Sequence, residues 1–166
     1  MGAVTAGFLV ALLTGCSVIQ DLLPGETRDS ETGEIVEGGN TDVFTLKEGD
    51  CIDDEASAEA STASEDPEEV YNVPTVPCSD PHTWEVMKNL TMADEEFPGD
   101  TETAAYADEQ CLAEFEGFIG VAYDDSIHDF TYYTPTAAGW ASGDRTINCL
   151  IGGVEQTTGT LRDAGE

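Results

Sequence analysis

Residues 98–119 read PGDTETAAYADEQCLAEFEGFI, and this stretch decides the fold class. Pro98-Gly99-Asp100 predicts a turn that ends in an N-cap, and Glu102 then places a negative charge in the first helical turn, where it is favourable. The apolar residues that follow recur at helical spacing and form one stripe: Ala104, Ala107, Cys111, Leu112, Phe115, Phe118 and Ile119. We therefore expect one long amphipathic helix whose cysteine faces the core.

Shorter segments on both sides of this helix show the apolar alternation that is typical of strands. They are residues 43–46, 70–78, 84–91, 130–133 and 147–151. In the third segment, Trp84, Val86 and Leu90 are predicted to share the buried face. One long helix among several short strands predicts a small α+β domain with an antiparallel or mixed sheet. We place this domain at residues 42–153, followed by a loose tail over residues 154–166.

The N-terminal residues indicate export and lipidation. Residues 1–15 are uncharged and largely apolar, and they end in LTG before Cys16, which resembles a bacterial lipoprotein signal. Such a signal is cleaved before the cysteine, which then carries the lipid, palmitate included. The sequence has no Lys or Arg before Arg28, so the usual basic segment is missing and an upstream start codon stays open.

An uncleaved anchor helix over residues 2–19 is the alternative, although its glycine, serine and threonine residues make it a poor membrane span. With cleavage, residues 16–41 are predicted to be a flexible tether with a typical reach of roughly 25–30 Å. The domain is then expected outside the cytoplasm, anchored to the outer face of the cell membrane.

Four cysteines lie in the predicted domain: Cys51, Cys78, Cys111 and Cys149. An even number of cysteines in an exported protein indicates disulfide bonds, but four cysteines allow three pairings and the sequence alone does not select one. The pairing Cys51–Cys78 with Cys111–Cys149 is favoured. Its first bond would restrict the loop between the two cysteines, and its second would join the helix to a strand. We therefore expect a disulfide-stapled domain.

Acidic residues dominate the composition, with 35 Asp and Glu against 5 Lys and Arg and a formal net charge of −30. Such a surface repels nucleic acids and anionic lipids, which excludes nucleic-acid binding, and it attracts cations or basic partners. Residues 53–69, DDEASAEASTASEDPEE, predict a solvated, disordered loop. The acidic clusters lack the ligand spacing of a calcium loop, so we expect diffuse cation binding at most.

His82 is the first candidate for chemistry, because it follows Cys78 by four residues. A catalytic histidine needs an orienting partner and a nucleophile within reach, and no matching motif is present. A zinc site usually joins two short Cys/His spacings, and the sequence has only one. We therefore expect His82 to cap the turn after Pro81, and we predict no catalytic residue, metal ion or cofactor.

Glu85, Trp140, Asp144 and Arg145 complete the set of possible binding residues. Arg145 is expected to form an ion pair that holds the sheet ends together, or else to bind an anionic ligand. Its candidate carboxylate partners are Glu85, Asp50 and Asp144. Trp140 either packs in the core or stacks on a sugar or a partner.

Several short motifs occur in a fixed order: Gly49-Asp50-Cys51, Val76-Pro77-Cys78, Pro81-His82, Glu85-Val86, Cys111, Pro135, Trp140, Gly143-Asp144-Arg145 and Cys149. This series resembles the septum-formation domain family of actinobacterial exported proteins over roughly residues 43–153. The resemblance implies an exported or membrane-tethered protein of cell division or septum assembly, without an established catalytic activity. We therefore expect a non-enzymatic binding or scaffold module whose partners are envelope or division proteins. A binding or sensor protein for a cell-wall fragment, using Trp140 and Arg145, is the alternative.

Overall fold

The structure is a computed structural model that describes residues 25–54 and 72–166. The predicted signal peptide, the lipidation of Cys16 and most of the predicted acidic loop lie outside the described residues. Within the described ranges, no helix combines the length and the apolar character that a membrane span requires.

The described residues form an α+β fold, as the sequence predicts. The strands are β1 (Thr27–Arg28), β2 (Ile35–Glu37), β3 (Gly39–Asp42), β4 (Cys51–Ile52), β5 (Asn72–Val76), β6 (His82–Thr91), β7 (Asp129–Tyr133) and β8 (Thr146–Thr157). The helices are α1 (Asp100–Ile119) and α2 (Ala137–Ala141), with 3-10 turns at Val43–Thr45 and Tyr123–Asp125. Strands β1 and β2 form a hairpin, and the other six form one sheet in the order β3-β5-β4-β6-β8-β7. Every pairing is antiparallel.

Helix α1 begins with two acidic residues in its first turn, Asp100 and Glu102, and ends at Gly120 in the left-handed conformation. Asp100 is the first helical residue, and the N-cap is Gly99, so the predicted side-chain cap does not form. The helix covers one face of the sheet, and the residues buried there are called the helix-side core. They are Met87, Met92, Ala107, Cys111, Phe115, Phe118, Ile119, Trp140, Ile147, Cys149, Ile151 and Leu161.

A second core lies on the other face of the sheet and is called the opposite core. It consists of Val43, Leu46, Ile52, Val73, Trp84, Val86 and Leu150. The predicted core position of Trp84 is therefore confirmed. No second long helix covers this face in the described part of the chain, and the 3-10 turn at Val43–Thr45 contributes to its closure instead.

An irregularity in β6 reverses part of the predicted strand pattern. The register against β8 shifts between Val86 and Lys88, so Met87 is an additional residue in β6 and the later side chains change face. Leu90 consequently packs against the helix-side core, and its predicted position beside Trp84 is wrong. Leu112, predicted on the buried stripe of the helix, is 43% exposed.

The favoured disulfide pairing is confirmed. Cys51 bonds to Cys78 and Cys111 bonds to Cys149, with Cα–Cα distances of 5.2 and 5.3 Å. We call the first bond the cluster disulfide and the second the helix disulfide. For loops of 27 and 38 residues, restriction of the unfolded chain corresponds to roughly 4 kcal/mol for each bond.

The described domain begins before the predicted boundary at residue 42. Residues predicted as tether form β1, β2 and β3, and Arg28 binds both carboxylate oxygens of Asp50 at 2.6 and 2.7 Å. The hydrogen-bonded Asp50 raises the pKa of Arg28 above its usual value. A planar bidentate pair of this kind fixes the hairpin against the sheet.

The predicted loose tail is also part of the domain. Leu161 is buried in the helix-side core, and Asp163 N and Gly165 N donate to the carbonyl oxygens of Phe118 and Ile119 at 2.9 and 2.8 Å. These carbonyls belong to the last turn of α1, where the helix itself offers no donors. The tail therefore caps the helix, and the predicted boundary at residue 153 lies too early.

Replacing Gly152 with Ala is expected to destabilise the fold by about 1–3 kcal/mol. A Cβ at this position would collide with the backbone carbonyl of Thr83, where β6 and β8 approach each other closely. Gly153 is the matched control, because a Cβ there meets nothing within 4 Å, and its replacement should change stability by about 0.5 kcal/mol or less. Chemical denaturation measures both variants, and equal effects would contradict the close approach.

Candidate functional site

The structure separates the five candidate binding residues into two groups. His82 and Glu85 lie at the beginning of β6, beside the cluster disulfide. Trp140, Asp144 and Arg145 lie just before β8, whose first residue pairs with the last residue of β6. The two groups therefore lie at opposite ends of the β6–β8 ladder.

The first group is a buried cluster of three chemical types. The Sγ atom of Cys51, a ring nitrogen of His82 and a carboxylate oxygen of Glu85 all lie within 4.8 Å of one another. Cys51 and His82 are fully buried, and Glu85 is 1% exposed. The β4–β6 pairing brings Cys51 opposite Glu85, and the cluster disulfide adds Cys78.

Both ring nitrogens of His82 have partners. Nδ1 lies 2.9 Å from the backbone carbonyl oxygen of Asp80, and Nε2 lies 3.3 Å from the hydroxyl of Thr157. A carbonyl only accepts hydrogen bonds, so Nδ1 carries the proton and Nε2 is the acceptor in the neutral ring. His82 thus makes a backbone hydrogen bond, but with Asp80, before Pro81, and not in a turn after Pro81 as the sequence predicts.

Glu85 holds the residues that follow β8. Its two carboxylate oxygens accept hydrogen bonds from Thr160 Oγ1 and from the backbone N–H of Leu161, each at 2.7 Å. We call residues 157–161 the strap. The strap also donates from Gly159 N to the carbonyl oxygen of Cys78 at 2.6 Å. One short segment thus contacts Cys78, His82 and Glu85.

The cluster serves as a network of structural hydrogen bonds while its disulfide is intact. A disulfide sulfur is not a thiolate nucleophile, and the carboxylate oxygens and ring nitrogens already have partners. The same side-chain types would be metal ligands if the sulfur were a thiolate. Sequence reasoning found His82 and Glu85 but not Cys51 as their neighbour. The spacing Cys78, His82, Glu85 was the available signal.

The second group is a cage of backbone carbonyls around Arg145. Its guanidinium donates to the carbonyl oxygens of Trp140 at 2.8 Å and Asp144 at 2.6 Å. Longer hydrogen bonds of 3.3 and 3.5 Å reach the carbonyl oxygens of Asp94 and Glu95. Four of the five guanidinium N–H groups are thereby engaged.

Trp140 packs inside this group. Its ring lies 3.8 Å from Cζ of Arg145 and 5.5 Å, between centroids, from the tilted ring of Phe97. Trp140 is only 5% exposed, so little of the ring is open to a sugar. The contact with Arg145 is a cation–π interaction that stabilises the loop before β8.

The predicted ion pair between Arg145 and a carboxylate is wrong, because each expected partner has another role. Glu85 binds the strap, Asp50 binds Arg28, and Asp144 accepts a hydrogen bond from Thr146 N at 2.9 Å. Asp144 Oδ2 is buried without a hydrogen-bond partner among the described residues. Sequence spacing could not reveal a cage that uses backbone oxygens.

Comparison with known proteins identifies a family for this chain. A family model described as "Septum formation" matches residues 30–165. No curated protein and no solved structure matches the chain. The matched range includes both disulfides, both groups of candidate residues and the strap.

Replacing Glu85 with Ala is expected to lower the free energy of unfolding by about 2–4 kcal/mol, because Leu161 N and Thr160 Oγ1 lose their acceptors. Hydrogen exchange of the Leu161 amide should accelerate, and denaturation should give the stability change. Exposed Glu155 is the matched control, and its replacement with Ala should cost less than about 0.5 kcal/mol. Unchanged protection of Leu161 would contradict the role of Glu85 in holding the strap.

Proposed function

The chain belongs to the septum-formation family, and on that premise we propose that it is a non-enzymatic binding or scaffold protein of septum or cell-envelope assembly. The family match over residues 30–165 is the observation that carries the proposal. We further propose that the protein acts at the outer face of the cell membrane, held there by a lipid on Cys16.

The contacts of the candidate residues support a role without catalysis. An enzyme needs a base and a nucleophile that meet in an accessible pocket. His82 and Glu85 are buried, and their polar atoms hold a backbone turn and the strap. The alternative of a cell-wall sensor relied on Trp140 and Arg145, and their packing leaves few groups for a ligand. We therefore propose that the exposed surface makes the functional contacts.

The early start of the domain supports action close to the membrane. Strand β1 begins at Thr27, eleven residues after Cys16. Even a fully extended chain of that length spans only about 40 Å. A lipid on Cys16 would therefore keep the domain next to the bilayer, where partners in or near the membrane are within reach.

The outward face of α1 is the contact surface that we propose. Leu112 is exposed there, and Asp108, Glu109 and Glu116 are its exposed neighbours at helical spacing. We call these four residues the acidic helix face. An apolar side chain within an acidic border fits a partner that presents basic residues around an apolar one, since complementary charge favours encounter and specificity.

A C-terminal, export-competent fluorescent fusion is expected to concentrate at midcell in dividing cells. Enrichment should persist when residues 1–16 are replaced by an unrelated lipoprotein signal and anchor, because the domain supplies the partner contacts. Replacing Cys16 with Ser should remove incorporation of labelled palmitate and release the protein from the membrane. A uniform membrane signal throughout the cell cycle would contradict recruitment to the septum.

Neutralising the acidic helix face with Asp108→Asn, Glu109→Gln and Glu116→Gln is expected to reduce midcell enrichment several-fold without unfolding the domain. The matched control is Glu31→Gln, Glu34→Gln and Glu37→Gln, which changes the same charge at exposed positions of the β1–β2 hairpin. Quantitative imaging and circular dichroism compare the two variants. Equal loss in both would assign the effect to net charge, and no loss in either would place the contact elsewhere.

A further inference from the structure

The buried cluster at the beginning of β6 has the composition of a metal site in which two ligands are oxidised. Thiolate, imidazole and carboxylate are the ligands that zinc takes from proteins, usually four of them in a tetrahedron. Cys51, His82 and Glu85 offer one of each within 4.8 Å. The cluster disulfide holds the fourth donor, because its other sulfur belongs to Cys78.

We propose that the cluster binds Zn²⁺ when its disulfide is reduced, with the two thiolates, His82 and Glu85 as ligands. In a tetrahedral zinc site, neighbouring donor atoms lie roughly 3.3–3.8 Å apart, as follows from the zinc–ligand distances. The ligand atoms of Cys51, His82 and Glu85 need to close by about 1.5 Å at most to meet that geometry. The Cα atoms of the two cysteines are already 5.2 Å apart, so the backbone brings both sulfurs to the same point.

The hydrogen bonds around the cluster are those of a metal site. A metal-bound histidine usually donates its other ring N–H to a backbone carbonyl, which fixes the ring and exposes one nitrogen to the metal. His82 Nδ1 donates to Asp80 O in this way, and Nε2 has only the 3.3 Å contact with Thr157 to give up. Glu85 is oriented by the strap, and a carboxylate has lone pairs left for a metal after accepting two hydrogen bonds.

The reduced state requires no unusual reaction. Every newly synthesised chain carries these cysteines as thiols, and the disulfide forms only after loss of two electrons to an oxidant. In the test tube, a phosphine breaks the S–S bond, takes up the oxygen of one water molecule as phosphine oxide and leaves two thiols. Zinc binding then releases the two thiol protons to solvent. The inference concerns this reduced form and is independent of the proposed role in septum assembly.

The test uses the full chain with Cys16→Ser, so that only the four disulfide cysteines can supply thiols on reduction. The phosphine-reduced protein is titrated with Zn²⁺ against a chromophoric chelator, and with Co²⁺ to detect thiolate charge-transfer and tetrahedral d–d bands. We expect one Zn²⁺ per chain with reduced protein and none with oxidised protein. Near-ultraviolet circular dichroism reports whether zinc preserves or restores the native fold.

Two double variants identify the ligands. The reduced chain lacks the helix disulfide in any case, so Cys111→Ala and Cys149→Ala should keep its zinc stoichiometry and cobalt spectrum, whereas Cys51→Ala and Cys78→Ala should abolish both. With His82→Gln, zinc should no longer maintain the near-ultraviolet circular dichroism of the native fold. Thr160→Val, which touches Glu85 only through its hydroxyl, should lower zinc affinity about 10-fold.

Three results would overturn the proposal. One is the absence of stoichiometric zinc binding by the reduced chain. Another is binding that survives loss of Cys51 and Cys78. The third is binding by an unfolded chain whose native circular dichroism zinc does not restore, since that would be adventitious thiol chemistry and not this site.

Discussion

The helix disulfide is the constraint on which the rest of the fold depends. Cys111 lies in the middle of α1, and Cys149 lies in β8, which pairs with β6 on one side and β7 on the other. One covalent bond therefore fixes the only long helix of the described chain over three strands. The helix-side core closes around this bond, and Phe115 beside it contacts the rings of Tyr123 and Phe130 edge-on. Without a fixed helix, that face of the sheet would be exposed to water.

The parts of the fold that the sequence predicts are those with a local repeating pattern. Helix α1 follows from apolar residues at helical spacing, and Cys111 on that stripe needs a buried partner, which the alternating strand around Cys149 supplies. Pattern reasoning fails where the repeat is interrupted. The additional residue in β6 moves Leu90 to the other face, and nothing in the local composition marks the interruption. Leu112 fits the stripe by spacing but lies at its edge, so it is exposed.

The parts of the fold that the sequence does not predict are held by polar contacts between residues far apart in the chain. The β1–β2 hairpin is fixed by Arg28 and Asp50, 22 positions apart, and the strap is fixed by Glu85 and Leu161, 76 positions apart. Short segments rich in Gly, Thr and Glu carry no hydrophobic periodicity, so the sequence favours a tether and a tail there. Only part of the candidate site could be predicted, because its contacts also join residues without a local sequence pattern. The sequence identified His82 and Glu85 as candidates, but it paired Glu85 with Arg145, whereas the carbonyl cage of Arg145 depends on backbone positions alone.

The excess of acid explains how the few basic residues are used. A net charge of −30 repels itself and opposes a compact state. Four of the five basic side chains join separate segments: Arg28 binds Asp50, Lys88 pairs with Glu48 at 3.0 Å, Arg145 holds two loops, and Arg162 stacks on Phe118 at 4.4 Å. Two disulfides supply cross-links that charge repulsion does not weaken. These basic side chains thus make contacts within the fold, and the exposed surface remains acidic. This charge distribution is compatible with the proposed recognition of partners through negative charge, close to the membrane that the N-terminal sequence predicts.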